Sequence, residues 1–268
     1  MDAVEITRKD HQAVKDAVKL MNNAKDRREK GRFIVEGTRL CEEALIGAER
    51  LFEIYYTASC FEKNRSLCER ISKKCEKIYK ISADVANKIA DTTSPQGLFV
   101  VGSSTQKTIK IDEILPTGQF ILLENVQDPS NLGSIFRTAE ALGLTGIFLS
   151  GDCCDPYNSK AMRAAMGAIF RVPFLVEEDM AEMLQKLKKK MMRPIAAVPD
   201  GEASKITSIR FFKGVIMCVG NEGAGLSDSL MSVCGEKVTI PMNGGADSLN
   251  AATAAAILMW EMVRNYYN

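Results

Sequence analysis

The stretch GVIMCVGNEGAGLSDSL, residues 214–230, joins an apolar run to a glycine-rich turn. The run from Val215 to Val219 has no polar residue, which is typical of a strand buried in a parallel sheet. The turn Gly220–Gly225 follows at once, contains the acid Glu222, and leads into a short helix-like segment. Glycines after a strand allow a ligand or another backbone to approach closely. The stretch therefore predicts an α/β fold with a ligand site at the carboxyl end of this strand.

The second part of the chain repeats the same alternation of apolar strands and helices. Helices are predicted near residues 130–142, 158–167, 179–191, 226–233 and 247–266. The predicted strands are FILLENV (120–126), GIFLSG (146–151), VPFLV (172–176), PIAAV (194–198), GVIMCVG (214–220) and KVTIPM (237–242). Continuous apolar strands between helices predict a mostly parallel sheet that helices cover on both faces.

The first part of the chain also alternates, with strands of period-two hydrophobicity between helical segments. A charged helix near residues 9–29 and a strand at RFIVEG (32–37) begin a second α/β unit. Residues 103–119 are polar and contain Pro116-Thr117-Gly118, which favours a domain boundary. We therefore predict a domain at 1–105, a linker at 106–118 and a second domain at 119–268.

Composition excludes several classes of function. Apolar residues make up 46% of the 268 positions, the first residues are too charged for a secretory signal, and the apolar stretch 248–260 is too short to span a bilayer. None of the eight cysteines forms a Cys-x-x-Cys pair, so free thiols in a reducing cytoplasm are expected. His11 is the one histidine, which argues against Ser-His-Asp chemistry, Cys-His chemistry and a histidine-rich metal site. We expect a soluble cytoplasmic protein without a metal.

Charge is distributed unevenly along the chain. Residues 1–110 hold 21 Lys and Arg against 16 Asp and Glu, a balance of +5, whereas residues 111–268 hold 14 against 18, a balance of −4. A basic first part fits a polyanionic partner, and ordinary solvated helix faces account for the same charges equally well.

The glycine-rich turn does not match the common nucleotide motifs. A P-loop requires Lys and Ser or Thr after its last glycine, but Leu226 and Ser227 follow Gly225 here. A dinucleotide fingerprint requires Gly-x-Gly-x-x-Gly after a first strand, and the spacing here is different and late in the chain. Glu222 would repel a phosphate, so the turn suits a neutral or cationic ligand better.

Two further stretches combine a strand end, a polar turn and a helix start. In LLENVQDPSNLGSIFRTAEALGL (122–144), Arg137 lies opposite the apolar stripe of an amphipathic helix, where a solvated surface role is the simplest interpretation. In IPMNGGADSLNAATAAAILMWE (240–261), Asp247 or Ser248 is the expected N-cap. Capping and first-turn solvation would each account for Ser248 and Asn250.

Together, the three stretches resemble the signature motifs of the SpoU (TrmH-like) family of RNA ribose 2′-O-methyltransferases, within the SPOUT class. Asn131 and Arg137 match the first motif, Gly220-Asn221-Glu222-Gly223 the second, and Ser248-Leu249-Asn250 the third. This resemblance covers about residues 120–266. RREKGRFIVEGTRLCEEAL (27–45) also resembles the family's ribosomal-protein-like substrate-binding domain.

The resemblance implies a deep trefoil knot in the second domain and S-adenosylmethionine as the cofactor. Backbone groups around Gly220, Ile240 and Leu249 would hold its adenosine, and the loop with Gly201 would close the other side. Asn221 and Gly223 belong to the same set of cofactor contacts. Glu222 would face the cationic sulfonium or accept hydrogen bonds from backbone amides, and the two roles are equally supported.

The resemblance also implies the roles of the remaining motif residues. Arg137 is the family's expected essential residue, either as a base or as a clamp on phosphate and on the developing oxyanion. A guanidinium pKa above about 12 favours the clamp. Asn131, Ser248 and Asn250 would then position the ribose and Arg137.

The substrate and the assembly follow as further expectations. Large-subunit ribosomal RNA is favoured over tRNA because the first domain suits a large structured target. A non-catalytic RNA-binding assembly factor and a base methyltransferase remain the alternatives. The final helix is apolar nearly all round, which predicts a homodimer. The expected phosphate contacts cluster at one helix–strand junction: Lys25, Arg27, Arg28, Lys30, Arg32 and Arg39.

Overall fold

A computed structural model describes residues 3–104, 109–221, 223–244 and 248–264. The chain forms two compact units. The first unit contains the described residues up to Ser104 together with Asp155–Arg171, and the second contains the rest. A single boundary near residue 105 therefore does not describe the division, because a segment from the middle of the chain joins the first unit.

The first unit is a five-stranded mixed sheet covered by helices. Its sheet order is β1-β4-β3-β5-β2, with β5 antiparallel to both β2 and β3. The strands are β1 (Val4–Ile6), β2 (Arg32–Glu36), β3 (Leu51–Tyr56), β4 (Lys77–Ile81) and β5 (Leu98–Ser103). Its first six helices are α1 (Gln12–Asn22), α2 (Ala24–Lys30), α3 (Thr38–Gly47), α4 (Ala58–Lys63), α5 (Arg65–Ser72) and α6 (Ala83–Ile89).

The single helix predicted at 9–29 is in fact the two helices α1 and α2. Asn23 separates them in an extended conformation, and its side-chain oxygen accepts hydrogen bonds from Lys25 N and Asp26 N. Asparagine favours such caps because its short side chain competes with the helical hydrogen bonds. The break turns α2 into a separate, strongly charged helix.

Buried contacts explain why Asp155–Arg171 belongs to the first unit. Arg27 and Asp155 form an ion pair of 2.6 Å with side chains 4% and 7% exposed. The Arg27 guanidinium also donates to the carbonyls of Leu20 and Met21. The rings of Phe33 and Tyr157 stack with centroids 5.3 Å apart. This segment carries α8 (Ser159–Ala165), close to the helix predicted at 158–167.

The same ion pair corrects one of the predicted RNA contacts. Arg27 was expected to bind phosphate, but it is only 3% exposed and its guanidinium is occupied by Asp155 and two carbonyls. A buried, paired guanidinium cannot reach a phosphate without leaving a buried carboxylate unpaired. Arg27 is therefore a structural residue of the first unit.

The second unit is a seven-stranded sheet in which every paired strand is parallel. Its order is β10-β12-β9-β11-β6-β7-β8. The strands are β6 (Gln119–Leu123), β7 (Gly146–Ser150), β8 (Phe174–Glu177), β9 (Arg193–Ala197), β10 (Ser204–Lys205), β11 (Val215–Val219) and β12 (Glu236–Thr239). Its helices are α7 (Pro129–Ala141), α9 (Met180–Lys189), α10 (Asp228–Val233) and α11 (Ala251–Val263). The predicted α/β class with a parallel sheet is confirmed.

Helices cover both faces of this sheet, and β11 lies at its centre. Met183 and Leu187 of α9 and Leu230 of α10 pack in one core with Ile216 and Cys218 of β11. On the other side, α11 packs against α7, β6 and β11. The described part of the predicted linker also belongs here, because Ile109, Ile111 and Ile114 pack on the same core. No helix among the described residues is long and apolar enough to cross a membrane.

Candidate active site

A cavity of about 350 Å³ opens beyond the carboxyl ends of β9, β11 and β12. Ligand sites of parallel α/β sheets occupy this edge. Its lining residues lie at 197–199 after β9, 219–221 and 223–226 after β11, 231 in α10, 238–240 and 242 at β12, and 248, 249, 251, 254 and 258 around the start of α11. None of these lining residues is charged.

The turn after β11 is folded tightly onto itself. A side chain at Gly220 would place its Cβ 2.1 Å from the backbone of Gly225. Asn221 and Gly225 exchange backbone hydrogen bonds of 3.1 and 2.9 Å, and Gly225 has a positive φ of 69°. The Asn221 side-chain oxygen accepts from Gly223 N at 2.8 Å. The glycine at 220 is thus required by the turn's own backbone, in addition to any ligand.

The two residues that directly follow β6 contact this turn or the chain just after it. The Asn221 amide donates to the carbonyl of Asn125 at 3.0 Å. The Glu124 carboxylate accepts from Ser227 N at 2.7 Å and from Ser227 Oγ at 2.6 Å. Asn125 has a positive φ of 56°, a conformation that asparagine tolerates better than most residues. Asn125 therefore holds the turn near its start, at Asn221, and Glu124 holds the chain two residues beyond its end, at Ser227.

Asn250 connects the third motif to the first. It is the N-cap of α11, since its side-chain oxygen accepts from Ala252 N and Thr253 N. Its side-chain amide donates to Asn131 Oδ1 at 2.9 Å. The expected N-cap at Asp247 or Ser248 is wrong, because α11 begins at Ala251, four residues after the predicted start at 247, with Asn250 as its cap. Asp247 lies outside the described residues.

The other predicted catalytic residues occupy different positions. Ser248 is exposed and lines the cavity. Arg137 lies on the exposed face of α7, outside the cavity lining, and makes no ion pair with any residue described. It is six residues beyond Asn131, which corresponds to about 9 Å along the helix axis. Glu222 lies outside the described residues.

The cavity brings together five of the six predicted cofactor contacts. These are Gly220, Asn221, Gly223, Ile240 and Leu249. Gly201 is not among the lining residues, and no atom lies within 4 Å of a Cβ built there. Val198 and Pro199, earlier in the same loop, form that wall instead.

Sequence reasoning missed the anchoring residues Glu124 and Ser227 and the apolar wall that includes Leu226 and Met231. The wall residues could have been predicted from their position, because they come shortly after β11 and its turn in the sequence. Nothing local to Glu124 marked it, since its partner is about a hundred residues away in the sequence.

A pair of thiols lies near the cavity without lining it. The Cys218 and Cys234 sulfurs are 3.8 Å apart. The hydrogen bond between them, together with complete burial, raises the pKa of Cys218, whereas the same hydrogen bond lowers the pKa of Cys234. Neither thiol lines the cavity, so the pair offers no nucleophile to a bound ligand.

The basic residues predicted to contact RNA differ in their availability. Lys25, Arg28, Lys30 and Arg39 are exposed. Lys25 and Lys30 pair with carboxylates of the first two helices at 3.7 and 3.4 Å, while Arg28 and Arg39 have no carboxylate partner in the described part of the chain. The guanidinium of Arg32 stacks 4.0 Å from the centre of an aromatic ring in β3.

Comparison with known proteins agrees with this geometry. Residues 118–260 match the model of the SpoU rRNA methylase family, and residues 11–100 match that of the MRM3-like substrate-binding domain. An uncharacterised tRNA/rRNA methyltransferase of Synechocystis is 31% identical over 99% of this chain and 96% of its own length. The 23S rRNA (guanosine(2553)-2′-O)-methyltransferase RlmP of Bacillus subtilis is 29% identical over 94% of this chain and 96% of its own.

A solved structure is also similar along the whole chain. The AdoMet-bound rRNA methyltransferase of Sinorhizobium meliloti superposes with a TM-score of 0.85, at 27% identity over 98% of each chain. The fold and the cavity, together with these similarities, define an α/β methyltransferase. The chain belongs to the SpoU rRNA methylase family and is an S-adenosylmethionine-dependent RNA 2′-O-ribose methyltransferase.

The residues around the cavity fit this cofactor. Uncharged walls formed by Leu226, Ile240 and Leu249 suit the adenosine, and backbone groups of the turn at Gly220, which lines the cavity, would hold it. When bound, S-adenosylmethionine supplies an electrophilic methyl group on a cationic sulfur. The fit rests on the volume and chemistry of the cavity.

Proposed function

We propose that this enzyme methylates a ribose 2′-hydroxyl in large-subunit ribosomal RNA. The observation that carries the proposal is a cavity lined by the second and third motif loops, with the first motif joined to them by the Asn250–Asn131 hydrogen bond. The substrate-binding domain matched at residues 11–100 adds a second surface for a large RNA. The RlmP relative, similar over nearly its whole length, is named for 23S rRNA, which favours ribosomal RNA over tRNA.

Alignment of the ribose is the first task of the chain's own residues. Transfer of a methyl group by displacement requires the attacking oxygen to be held at near-attack distance. The side chain of Asn250 caps α11 and also donates to Asn131, so both of its polar groups are occupied. Ser248 is exposed at the cavity and is therefore the residue proposed to contact the ribose. In this proposal Asn250 acts through Asn131, and Ser248 is the direct contact.

Arg137 supplies positive charge for the RNA backbone and for the developing oxyanion. Its guanidinium is exposed and carries no carboxylate partner within the described residues, so it is available to a phosphate. Hydrogen-bond donors aimed at developing charge contribute strongly to catalysis. We assign Arg137 the role of an electrostatic clamp.

The chain path near the cavity supports the proposed trefoil knot. β12 lies towards one edge of the sheet, yet the helix that follows it, α11, packs against the central strands β6 and β11. Small residues at Ala251, Ala254 and Ala255 allow close backbone packing there. If the segment from β12 to α11 passes through a loop formed by the preceding chain, the result is the trefoil knot.

A homodimer is the proposed assembly. Thr253, Ile257 and Trp260 form a stripe on α11, and Trp260 is 48% exposed. Large exposed aromatic residues are favoured at protein interfaces. A two-fold contact through this stripe would bury it. A cytoplasmic location stays a prediction, and eight free cysteines suit a reducing compartment.

Methyl transfer to defined RNAs tests the proposal. The purified enzyme is incubated with tritiated S-adenosylmethionine and with transcripts of 23S rRNA, 16S rRNA or a tRNA pool. We expect incorporation into 23S rRNA at one site, and alkali-resistant dinucleotides after hydrolysis. Incorporation into tRNA alone would overturn the assignment of ribosomal RNA as the substrate. Alkali-sensitive products would indicate methylation of a base, and no incorporation into any RNA would favour a non-catalytic binding factor.

A further inference from the structure

The glycine-rich turn Gly220–Gly225, called here the cofactor turn, is followed by a residue that one carboxylate, that of Glu124, holds in place. Both oxygens of Glu124 bind the same residue, one accepting from Ser227 N at 2.7 Å and the other from Ser227 Oγ at 2.6 Å. Glu124 is itself fixed, because its N–H donates to the carbonyl of Val219 at 2.9 Å, one residue before the turn. A hydrogen bond with a charged partner is stronger than one between neutral groups.

Ser227 directly follows two residues that line the cavity. Gly225 and Leu226 both belong to the lining, and Leu226 is 6% exposed. Gly225 has a positive φ and carries no side chain, so little in its own conformation limits the turn. A fixed point at Ser227 therefore restricts where Gly225 and Leu226 can lie.

A role limited to capping α10 does not account for this contact. Ser227 Oγ accepts from Leu230 N at 3.3 Å and caps the helix by that bond alone. Glu124 makes no hydrogen bond to α10 itself, and it reaches Ser227 from the residue that directly follows the neighbouring strand β6. The contact instead connects the end of β6 to a residue two positions after the cofactor turn.

We propose that Glu124 is a positioning residue of the cofactor site, holding Ser227 so that Gly225 and Leu226 form the cavity wall. The inference rests on the cofactor assignment and extends it to a residue outside the cavity lining. Glu124 does not touch the cofactor; it acts through Ser227. Without the contact, the turn samples other conformations, and binding requires the turn to be ordered first.

Calorimetric titration with S-adenosylhomocysteine, using the full chain, measures the effect directly. We expect Glu124→Ala and Ser227→Ala each to raise the Kd about ten-fold, which is about 1.4 kcal/mol. The loss in the double variant should fall short of the sum of the two single losses, because both changes remove the hydrogen bond between Ser227 Oγ and Glu124. Glu124→Ala also removes the acceptor of Ser227 N, and Ser227→Ala also removes the cap of α10. Glu182→Ala and Ser232→Ala, exposed positions on α9 and α10, are the matched controls and should leave the Kd unchanged.

A conservative variant and a ligand-free measurement separate positioning from general destabilisation. Glu124→Gln keeps an acceptor for Ser227 N and offers an amide donor to Ser227 Oγ, so it should recover most of the affinity, whereas the shorter Glu124→Asp should not. Hydrogen exchange of the ligand-free protein should rise in peptides covering 223–230 for Glu124→Ala and stay unchanged in β6 and β9.

Each outcome is decisive. Additive losses in the double variant, an unchanged Kd in Glu124→Ala, or faster exchange throughout the sheet would overturn the proposal. Failure of the wild-type protein to bind S-adenosylhomocysteine would instead overturn the cofactor assignment. In that case the exchange of residues 223–230 still reports whether Glu124 holds the turn.

Discussion

Gly220 and Gly223 belong to the same turn but differ in their surroundings. A Cβ at Gly220 would lie 2.1 Å from the Gly225 backbone, whereas a Cβ at Gly223 would meet its nearest atom, Asn221 Oδ1, at 3.5 Å. The first distance is a clash with backbone that cannot swing away, and the second is an ordinary contact. The two glycines therefore make a matched pair for substitution.

We expect Gly220→Ala to destabilise the second unit by about 1–3 kcal/mol, as overpacking does elsewhere. It should also weaken binding of S-adenosylhomocysteine strongly. Gly223→Ala should change the free energy of unfolding by less than about 0.5 kcal/mol. Urea unfolding and calorimetry of the two variants check this, and equal effects at both positions would contradict the backbone argument.

Arg137 should separate methyl transfer from cofactor binding. Because Arg137 lies outside the cavity lining, Arg137→Ala should leave the Kd for S-adenosylmethionine within about two-fold. Loss of a charge-stabilising donor should lower kcat at least about 100-fold. Single-turnover methylation and calorimetry measure the two effects, with Lys186→Ala as an exposed cationic control. Lost cofactor binding in Arg137→Ala would refute the assigned role.

Among the elements, α11 has the most unusual composition. It was expected to be buried on several sides, and Ala255, Leu258, Met259 and Met262 are indeed buried. Trp260 is nevertheless half-exposed. Exposed tryptophan is enriched at protein interfaces, so Trp260 is the residue of α11 with which the proposed dimer can be tested.

We expect Trp260→Glu to shift a dimer to monomer in sedimentation velocity at micromolar concentration. The reason is that a carboxylate would have to be desolvated inside an apolar interface. Leu115→Glu changes another exposed apolar residue, 69% exposed and far from α11 in the sequence, and should leave the sedimentation coefficient unchanged. A wild-type protein that sediments as a fully active monomer would contradict the proposed homodimer.

The whole molecule divides RNA recognition and catalysis between its two units, according to the proposed function. Arg28 and Arg39 are exposed residues of the first unit with no carboxylate partner in the described ranges. Such guanidiniums bind phosphate at little cost, because no internal ion pair must be broken. Removing residues 1–105 would be a poor test, since Asp155–Arg171 packs with that unit.

The double variant Arg28→Ala, Arg39→Ala in the full chain should bind 23S rRNA more weakly. Its slope of log affinity against log salt should be shallower by about one to two, one contact for each residue. The charge-matched variant Lys186→Ala, Lys189→Ala should keep the wild-type slope, and both should bind S-adenosylmethionine normally. Filter binding at several salt concentrations checks this. An unchanged slope in the first variant would place the phosphate contacts elsewhere.

The sequence by itself determined the α/β class and the positions of the long elements. Buried strands such as β11 are continuous apolar runs, and this pattern is local, so it can be read without the fold. The three motif stretches could likewise be located, because each combines a strand end with a polar turn. The family resemblance added the cofactor, which periodicity alone did not indicate.

Only the tertiary structure decided which side chains meet. Arg27 looked like one more exposed cation, but Asp155, distant in the sequence, buries it in an ion pair. Glu124 and Ser227 gave no local signal, and their contact exists because β6 and β11 are neighbours in the sheet. Hydrogen bonds and ion pairs between distant residues depend on strand order, and strand order is a property of the folded chain.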